Sequence, residues 1–234
     1  MITTSAPIQQ QPRIKSIAIS SEQFDVVPIG INDPKLLIKN LGDSESSVDR
    51  KSRSIIFVGR LVRYKGVEFL LRSLAKTEGH LTIVGEGPEG SYLRSLAKKL
   101  QVQDRVNFLG SMDKLRVYRE IFKNNLLVLP SVSEAEAFGV VLLEAMGLGI
   151  PVISTSLMSG TSVVNQDGVT GYVVPPKDAV KLSLVIDQFF KENRFREFST
   201  AARRRFLENY QVSVMVENYL KQYQILLNGK CTGI

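Results

Sequence analysis

From residue 54 onward, apolar residues alternate between short unbroken runs and helical spacing. Ser54–Val58 (SIIFV) is a compact apolar run stopped by Gly59, which predicts a strand buried on both faces. Val67–Lys76 (VEFLLRSLAK) repeats its apolar residues at helical intervals and predicts a helix. The alternation continues with strands predicted at Leu81–Val84, Arg105–Leu109, Leu126–Leu129, Pro151–Ser154 and Gly171–Val174. Helices are predicted at Ser91–Leu100, Asp113–Lys123, Phe138–Met146, Asp178–Lys191, Phe195–Glu208 and Val212–Leu227, with Asp113 a candidate cap.

Buried strands alternating with amphipathic helices predict an α/β fold. The expected form is a Rossmann-like parallel sheet of about six strands with helices on both faces. In such sheets ligands bind outside the carboxyl ends of the strands, so the polar residues just after each strand matter most. The first 50 residues lack this rhythm. The runs IQQQP and GDSESS are polar, and Phe24–Ile31 is a short apolar stretch broken by Pro28 and Gly30. Residues 1–50 therefore read as a tail and a linker-like segment, and residues 51–234 as the folded domain with its C-terminal helices.

Composition narrows the function classes. Of the 234 residues, 44% are hydrophobic and 23% charged, which excludes a wholly disordered, collagenous or coiled-coil chain. No apolar run approaches the about 18 residues of a membrane span, and the polar start predicts no signal peptide. A lone cysteine, Cys231, allows no internal disulfide, and a lone histidine, His80, allows no two-histidine metal site. The expected compartment is the cytoplasm. A net charge of +7 favours anionic partners, among them nucleotides, phosphates and acidic lipid surfaces. Arg194, Arg196, Arg203, Arg204 and Arg205 read as a solvated helix face, with peripheral contact at an anionic inner membrane face as the alternative. No aromatic-interleaved basic motif accompanies them, so nucleic acid is not an expected partner.

Three post-strand segments carry candidate chemistry. Gly59-Arg60-Leu-Val-Arg63-Tyr-Lys65-Gly66 brings cations and glycines to the end of the first strand, which suits a phosphate or diphosphate. Gly85-Glu86-Gly87-Pro88 has the look of a phosphate loop, but a plain strand-to-helix turn with Pro88 at the first helical position explains it as well. The third segment runs from Ser131 to Ile153 and holds Glu136 and Glu144, separated by seven residues. Glu136 should lie in the loop before a helix and Glu144 two turns into it, so the carboxylates can span about 12 Å. That suits two contacts along one elongated ligand and is too wide for a close acid–nucleophile pair at about 5 Å. The helix start at Phe138-Gly139-Val140 offers backbone N–H groups to an anion. Glu144 is otherwise an unusual charge among Val140, Val141, Leu142, Leu143, Ala145 and Met146, unless it is a salt-bridged structural residue.

Phe57-Val-Gly-Arg60 with Lys65-Gly66, Ile83-Val-Gly-Glu-Gly-Pro88, Val106-Asn-Phe-Leu-Gly110, Glu136 through Glu144 to Ile153, and Asp167-Gly-Val-Thr-Gly171 follow one another in the order seen in family 4 retaining nucleotide-sugar glycosyltransferases. The resemblance covers about residues 24 to 227 and is to the C-terminal, donor-binding domain of the GT-B fold. Val26–Asn32 resembles the segment joining that fold's two domains. The resemblance implies transfer of a hexose from a UDP- or GDP-sugar, with retention, to a polysaccharide, lipid-linked or other acceptor. It implies catalytic roles for Arg60 and Lys65 on the donor diphosphate and for Glu136 near the donor sugar. Glu144 would accept hydrogen bonds from the ribose, and Leu109 to Met112, including Gly110, would read the base. Gly59, Gly85, Gly87, Phe138, Gly139 and Val140 would line the donor site. No metal and no cofactor beyond the nucleotide-sugar is implied. An acceptor domain is expected in trans, or self-association, with exposed apolar surface along Val212–Leu227. The alternative is a non-catalytic nucleotide-sugar binding module.

Overall fold

The computed structural model describes residues 2–4, 25–39 and 53–230. Cys231 and the IQQQP and GDSESS runs lie outside the described residues. Two short strands, β1 (Ile2–Thr3) and β2 (Asp25–Val26), pair in parallel, and helix α1 (Pro34–Lys39) follows. The main sheet contains β3 (Ser54–Val58), β4 (His80–Val84), β5 (Val106–Gly110), β6 (Leu126–Leu129), β7 (Val152–Thr155) and β8 (Gly171–Val174). Its helices are α2 (Val67–Leu74), α3 (Gly90–Lys99), α4 (Lys114–Phe122), α5 (Val140–Gly147), α6 (Thr161–Val164), α7 (Ala179–Glu192), α8 (Phe195–Asn209) and α9 (Val212–Lys230).

The sheet order is β5-β4-β3-β6-β7-β8 and every neighbouring pair is parallel. The chain winds outward from β3 to β5, crosses back to β6 beside β3, and winds outward again to β8. The direction reverses between β3 and β6, so the loops leaving these two strands diverge and open a crevice at their carboxyl ends. β6 and β7 are buried along their whole length, and β6 accordingly reads as an uninterrupted apolar run, whereas edge strand β5 has no fully buried residue. Tyr172 on β8 meets Phe198 on α8 edge-to-face at 5.2 Å, covering the other edge.

Local chemistry explains the element boundaries. The carboxylates of Asp113 and Asp178 accept from the N–H groups of Arg116 (3.0 Å) and Lys181 (2.8 Å), capping α4 and α7. Pro88 does not open α3; that helix starts at Gly90, after a turn in which Glu89 N–H donates to Leu61 O. Arg105 falls in a 3₁₀ turn before β5, because its guanidinium turns back to donate to Thr77 O and Leu74 O, both at 2.9 Å.

The segment read as tail and linker supplies residues 25–39 to the described structure, with Val27 and Ile38 buried. The Pro34 ring fills the space beside Gly147, where an added Cβ would come within 2.7 Å of it. Asp33 takes a two-point ion pair from Arg203 at 2.6 and 2.5 Å, and Arg203 also donates to Gly147 O. Arg205 donates to Val164 O (3.0 Å) and Val163 O (2.6 Å), and Arg194 pairs with Glu197 at 2.6 Å. Three of the five clustered arginines are thus engaged within the fold, and Arg196 and Arg204 are exposed. Helix α9 leaves Val216, Leu220, Tyr223 and Leu227 exposed.

Candidate functional site

Backbone hydrogen bonds knit the strand-end loops into one rim. Gly59 N–H donates to Val84 O (2.9 Å), Leu61 N–H to Glu86 O (2.8 Å), and Gly85 N–H to Gly110 O (2.7 Å), joining the ends of β3, β4 and β5. Val132 N–H donates to Tyr64 O (2.7 Å), Thr155 Oγ1 to Ser131 O (2.5 Å), and Gly160 N–H to Ala137 O (2.7 Å), extending the rim past β6 and β7. These bonds fix the loops against the sheet, so their side chains are held by rigid elements.

At the switch point Lys65 and Glu136 meet. Lys65 Nζ lies 2.6 Å from Glu136 Oε2, and the two side chains are only 13% and 8% exposed. Ser131 Oγ donates to the same carboxylate oxygen at 2.7 Å. Glu136 Oε1 accepts nothing from the described residues. Lys65 ends a 3₁₀ turn (Arg63–Lys65), and Gly66, which follows at φ +67°, turns the chain into α2. A Cβ there would stand 2.1 Å from Pro130 O. Gly66→Ala should therefore cost about 1–3 kcal/mol in strain and displacement and push the β3 and β6 loops apart. Urea denaturation would measure it, and unchanged stability would mean that the loops are not held at that contact.

Arg60 is exposed and makes no side-chain bond to the described residues. It shares the Lys65 loop, whose glycine, Gly59, lies beneath the Lys65 side chain with Cε 3.7 Å from an added Cβ. Gly85 and Gly87 have a packing reason of their own. A Cβ on either would meet the β3 loop, at 2.1 Å from Gly59 O and 2.3 Å from Leu61 O respectively.

Past Glu136 the chain reaches α5. Gly139, in the left-handed conformation, caps it; the side chain of Phe138 is buried, and Val140 at the first helical position is partly exposed. The N–H groups of Phe138 and Gly139 have no partner among the described residues. Glu144 lies in the second turn with its side chain 14% exposed, and neither of its oxygens accepts a hydrogen bond from the described residues. Burial pushes its carboxyl above the usual carboxylate range, opposed by Lys114, whose Nζ lies 3.7 Å from Oε1. Lys114 and Ser131 were not singled out in the sequence. The Asp113 cap signal placed Lys114 at a helix start, but nothing local tied it to Glu144. Leu109 and Met112 are half-buried against the core, and Glu86 Oε1 accepts from Ser111 N–H at 3.3 Å beside Gly110.

A cleft of about 1010 Å³ opens at the amino ends of the strands around Arg53, Thr77 and Asp187, away from this rim. A cavity of about 490 Å³ does adjoin the rim, lined by Tyr64, Gly66, Glu68, Val132 and Lys177. Among the described residues no group of acidic, histidine or cysteine side chains could hold a metal, and no helix is long and apolar enough to cross a membrane.

The doubly wound parallel sheet is Rossmann-like, of the kind that forms each half of GT-B glycosyltransferases. The chain belongs to the glycosyl transferases group 1 family, whose model matches residues 42–206. The O-antigen chain mannosyltransferase C of Escherichia coli is 32% identical over 176 residues, covering 75% of this chain and 47% of that protein. The N-acetyl-alpha-D-glucosaminyl L-malate synthase of Bacillus anthracis is 32% identical over 206 residues, 86% of this chain and 51% of that protein. The chain spans about half the length of the curated relatives it matches. Anabaena HepE, solved in complex with UDP, superimposes with a TM-score of 0.79 at 20% identity, over 95% of this chain and 63% of that one.

Proposed function

We propose that this chain binds a UDP- or GDP-sugar along the carboxyl rim of its sheet and serves as the donor half of a retaining hexosyltransferase, with the acceptor site supplied by a separate domain. The Lys65–Glu136 pair at the switch point carries this reading: a cation and a carboxylate, nearly buried, meet where a doubly wound sheet opens its crevice. Arg60 and Lys65 take the diphosphate, and the start of α5 adds N–H groups that have no partner among the described residues. As the bond from the sugar to the diphosphate breaks, negative charge grows on the departing nucleotide, and fixed positive groups lower the barrier by stabilising that charge. Glu136, whose Oε1 accepts from none of the described residues, accepts from donor-sugar hydroxyls; Glu144 accepts from the ribose. The names of the relatives, among them a mannosyltransferase, and the UDP bound by the HepE structure support the substrate class.

Calorimetric titration of the chain with UDP, GDP and inorganic diphosphate tests the binding. Glu144→Gln should weaken nucleotide binding by about tenfold, the low end of a charge-assisted contact, and leave diphosphate binding intact. Equal losses for both ligands would make Glu144 structural. The part-length match to relatives also raises a second reading, a binding module without turnover. A sugar-transfer assay with and without a candidate acceptor-domain chain separates the two.

A further inference from the structure

Glu144 presents an electrostatic problem that the proposed ribose contact does not solve alone. Its carboxylate is nearly buried on an apolar helix, and a buried carboxyl favours its neutral form. A neutral carboxyl keeps one good acceptor oxygen fewer and adds a donor, which suits ribose hydroxyls poorly. One cation acts on it. Lys114, at the first position of α4, extends over the ring of Tyr118 with Nζ 5.5 Å from the ring centre and 3.7 Å from Glu144 Oε1. Tyr118 is itself buried, one turn below, so it gives the Lys114 stem a fixed surface to lie on.

From α8, Arg203 is directed at Gly147 O and Asp33, at the far end of the helix. Among the described residues, Lys114 and the Tyr118 phenol are the titratable groups coupled to Glu144. The Lys114 side chain is 64% exposed, so its ammonium reaches Glu144 from the solvent side of the Tyr118 ring.

We propose that Lys114 is a positioning residue for the nucleotide: its ammonium, seated on the Tyr118 ring, holds the Glu144 carboxylate charged and turned toward the ribose hydroxyls while leaving Oε2 open to them. This rests on the reading of Glu144 as a ribose acceptor. The contact is on the side of Glu144 nearest the β5–α4 loop, since Lys114 follows Met112 and the Asp113 cap directly. The same short segment thus joins the carboxylate to the end of β5.

The test compares the wild-type chain with Lys114→Met, Lys114→Arg and Glu144→Gln, titrated calorimetrically with UDP, GDP and their 2′-deoxy forms. Titrations run at about pH 6 and about pH 8, on either side of neutrality. Without the ammonium, burial alone acts on Glu144, so its neutral form persists to higher pH. Lys114→Met should bind the ribonucleotides more weakly than wild type, by a ratio that narrows from the lower pH to the higher. It should also lose part of the preference for ribo over deoxy forms. Lys114→Arg should restore both. Thermal melts check that each variant is folded.

If Lys114→Met matches wild type at both pH values while Glu144→Gln weakens binding, the inference fails and the ribose reading stands. If Glu144→Gln itself binds as wild type, or the wild-type chain binds neither nucleotide, the ribose reading fails and the inference goes with it. A loss in Lys114→Met that is equal at both pH values and for ribo and deoxy forms would also overturn it, as a non-specific charge effect.

Discussion

Replacing Lys65 with alanine should cut affinity for UDP or GDP by between about ten- and a hundredfold, corresponding to the loss of a charge-assisted contact of about 1.5–3 kcal/mol. Two effects act in the same direction. The diphosphate loses a cation, and Glu136 loses the partner 2.6 Å away that offsets its charge. Only the Ser131 hydroxyl then remains on that carboxylate, and its negative charge faces the incoming diphosphate. The double variant Lys65→Ala/Glu136→Gln removes the repulsion and should recover part of the loss. Non-additivity of this kind is expected for groups in direct contact. Calorimetry on the two single variants and the double variant would measure it. Affinity unchanged in Lys65→Ala would remove Lys65 from the diphosphate site, and losses that simply add would remove the coupling between Lys65 and Glu136.

The second large effect is on stability. Arg203→Ala should destabilise the fold by about 3–5 kcal/mol, the range for breaking a buried ion pair from one side. Asp33, with its side chain 8% exposed, would lose the guanidinium and keep the Lys35 N–H at 3.0 Å, and Gly147 O would lose a donor. The pair clamps α1 and the residues before it onto α5 and α8, so the damage should be local to that side of the domain. Hydrogen exchange should show residues 25–39 opening first. Asp33→Asn combined with Arg203→Met should recover more stability than Arg203→Ala retains, because no charge is then left stranded. If Arg203→Ala melts at the wild-type urea midpoint, the clamp contributes nothing and residues 25–39 are held by apolar packing alone.

Much of the architecture was legible because parallel strands buried on both faces leave a strong mark. Leu126–Leu129 and Gly171–Val174 could be read to the residue, since each is an apolar run with proline directly behind it. The helices were equally visible from their apolar spacing, and one of them from Asp113 at its cap. Where the reading slipped, the cause is identifiable. α1 and α6 are too short to show a period, having six and four residues, and exist because tertiary contacts bury one side of each. Arg105 belongs to a strand-like stretch by residue type, but its guanidinium finds backbone carbonyls before β4 and bends the chain.

The candidate site divides the same way. Its candidates could be named from the sequence, because Arg60, Lys65, Glu136 and Glu144 stand just after strands or at a helix entry, where this class of sheet places ligands. Their pairing could not be. Lys65 and Glu136 are 71 positions apart, and what joins them is the reversal of strand order between β3 and β6. Lys114 meets Glu144 because α4 packs beside α5, and Arg203 finds Asp33 across 170 positions. Local pattern determined which segments become strands and helices and which side chains reach the rim, since burial period and capping act over a few residues. Only the three-dimensional arrangement decided which charges neutralise one another, since Coulomb attraction depends on distance in space and is indifferent to separation along the chain.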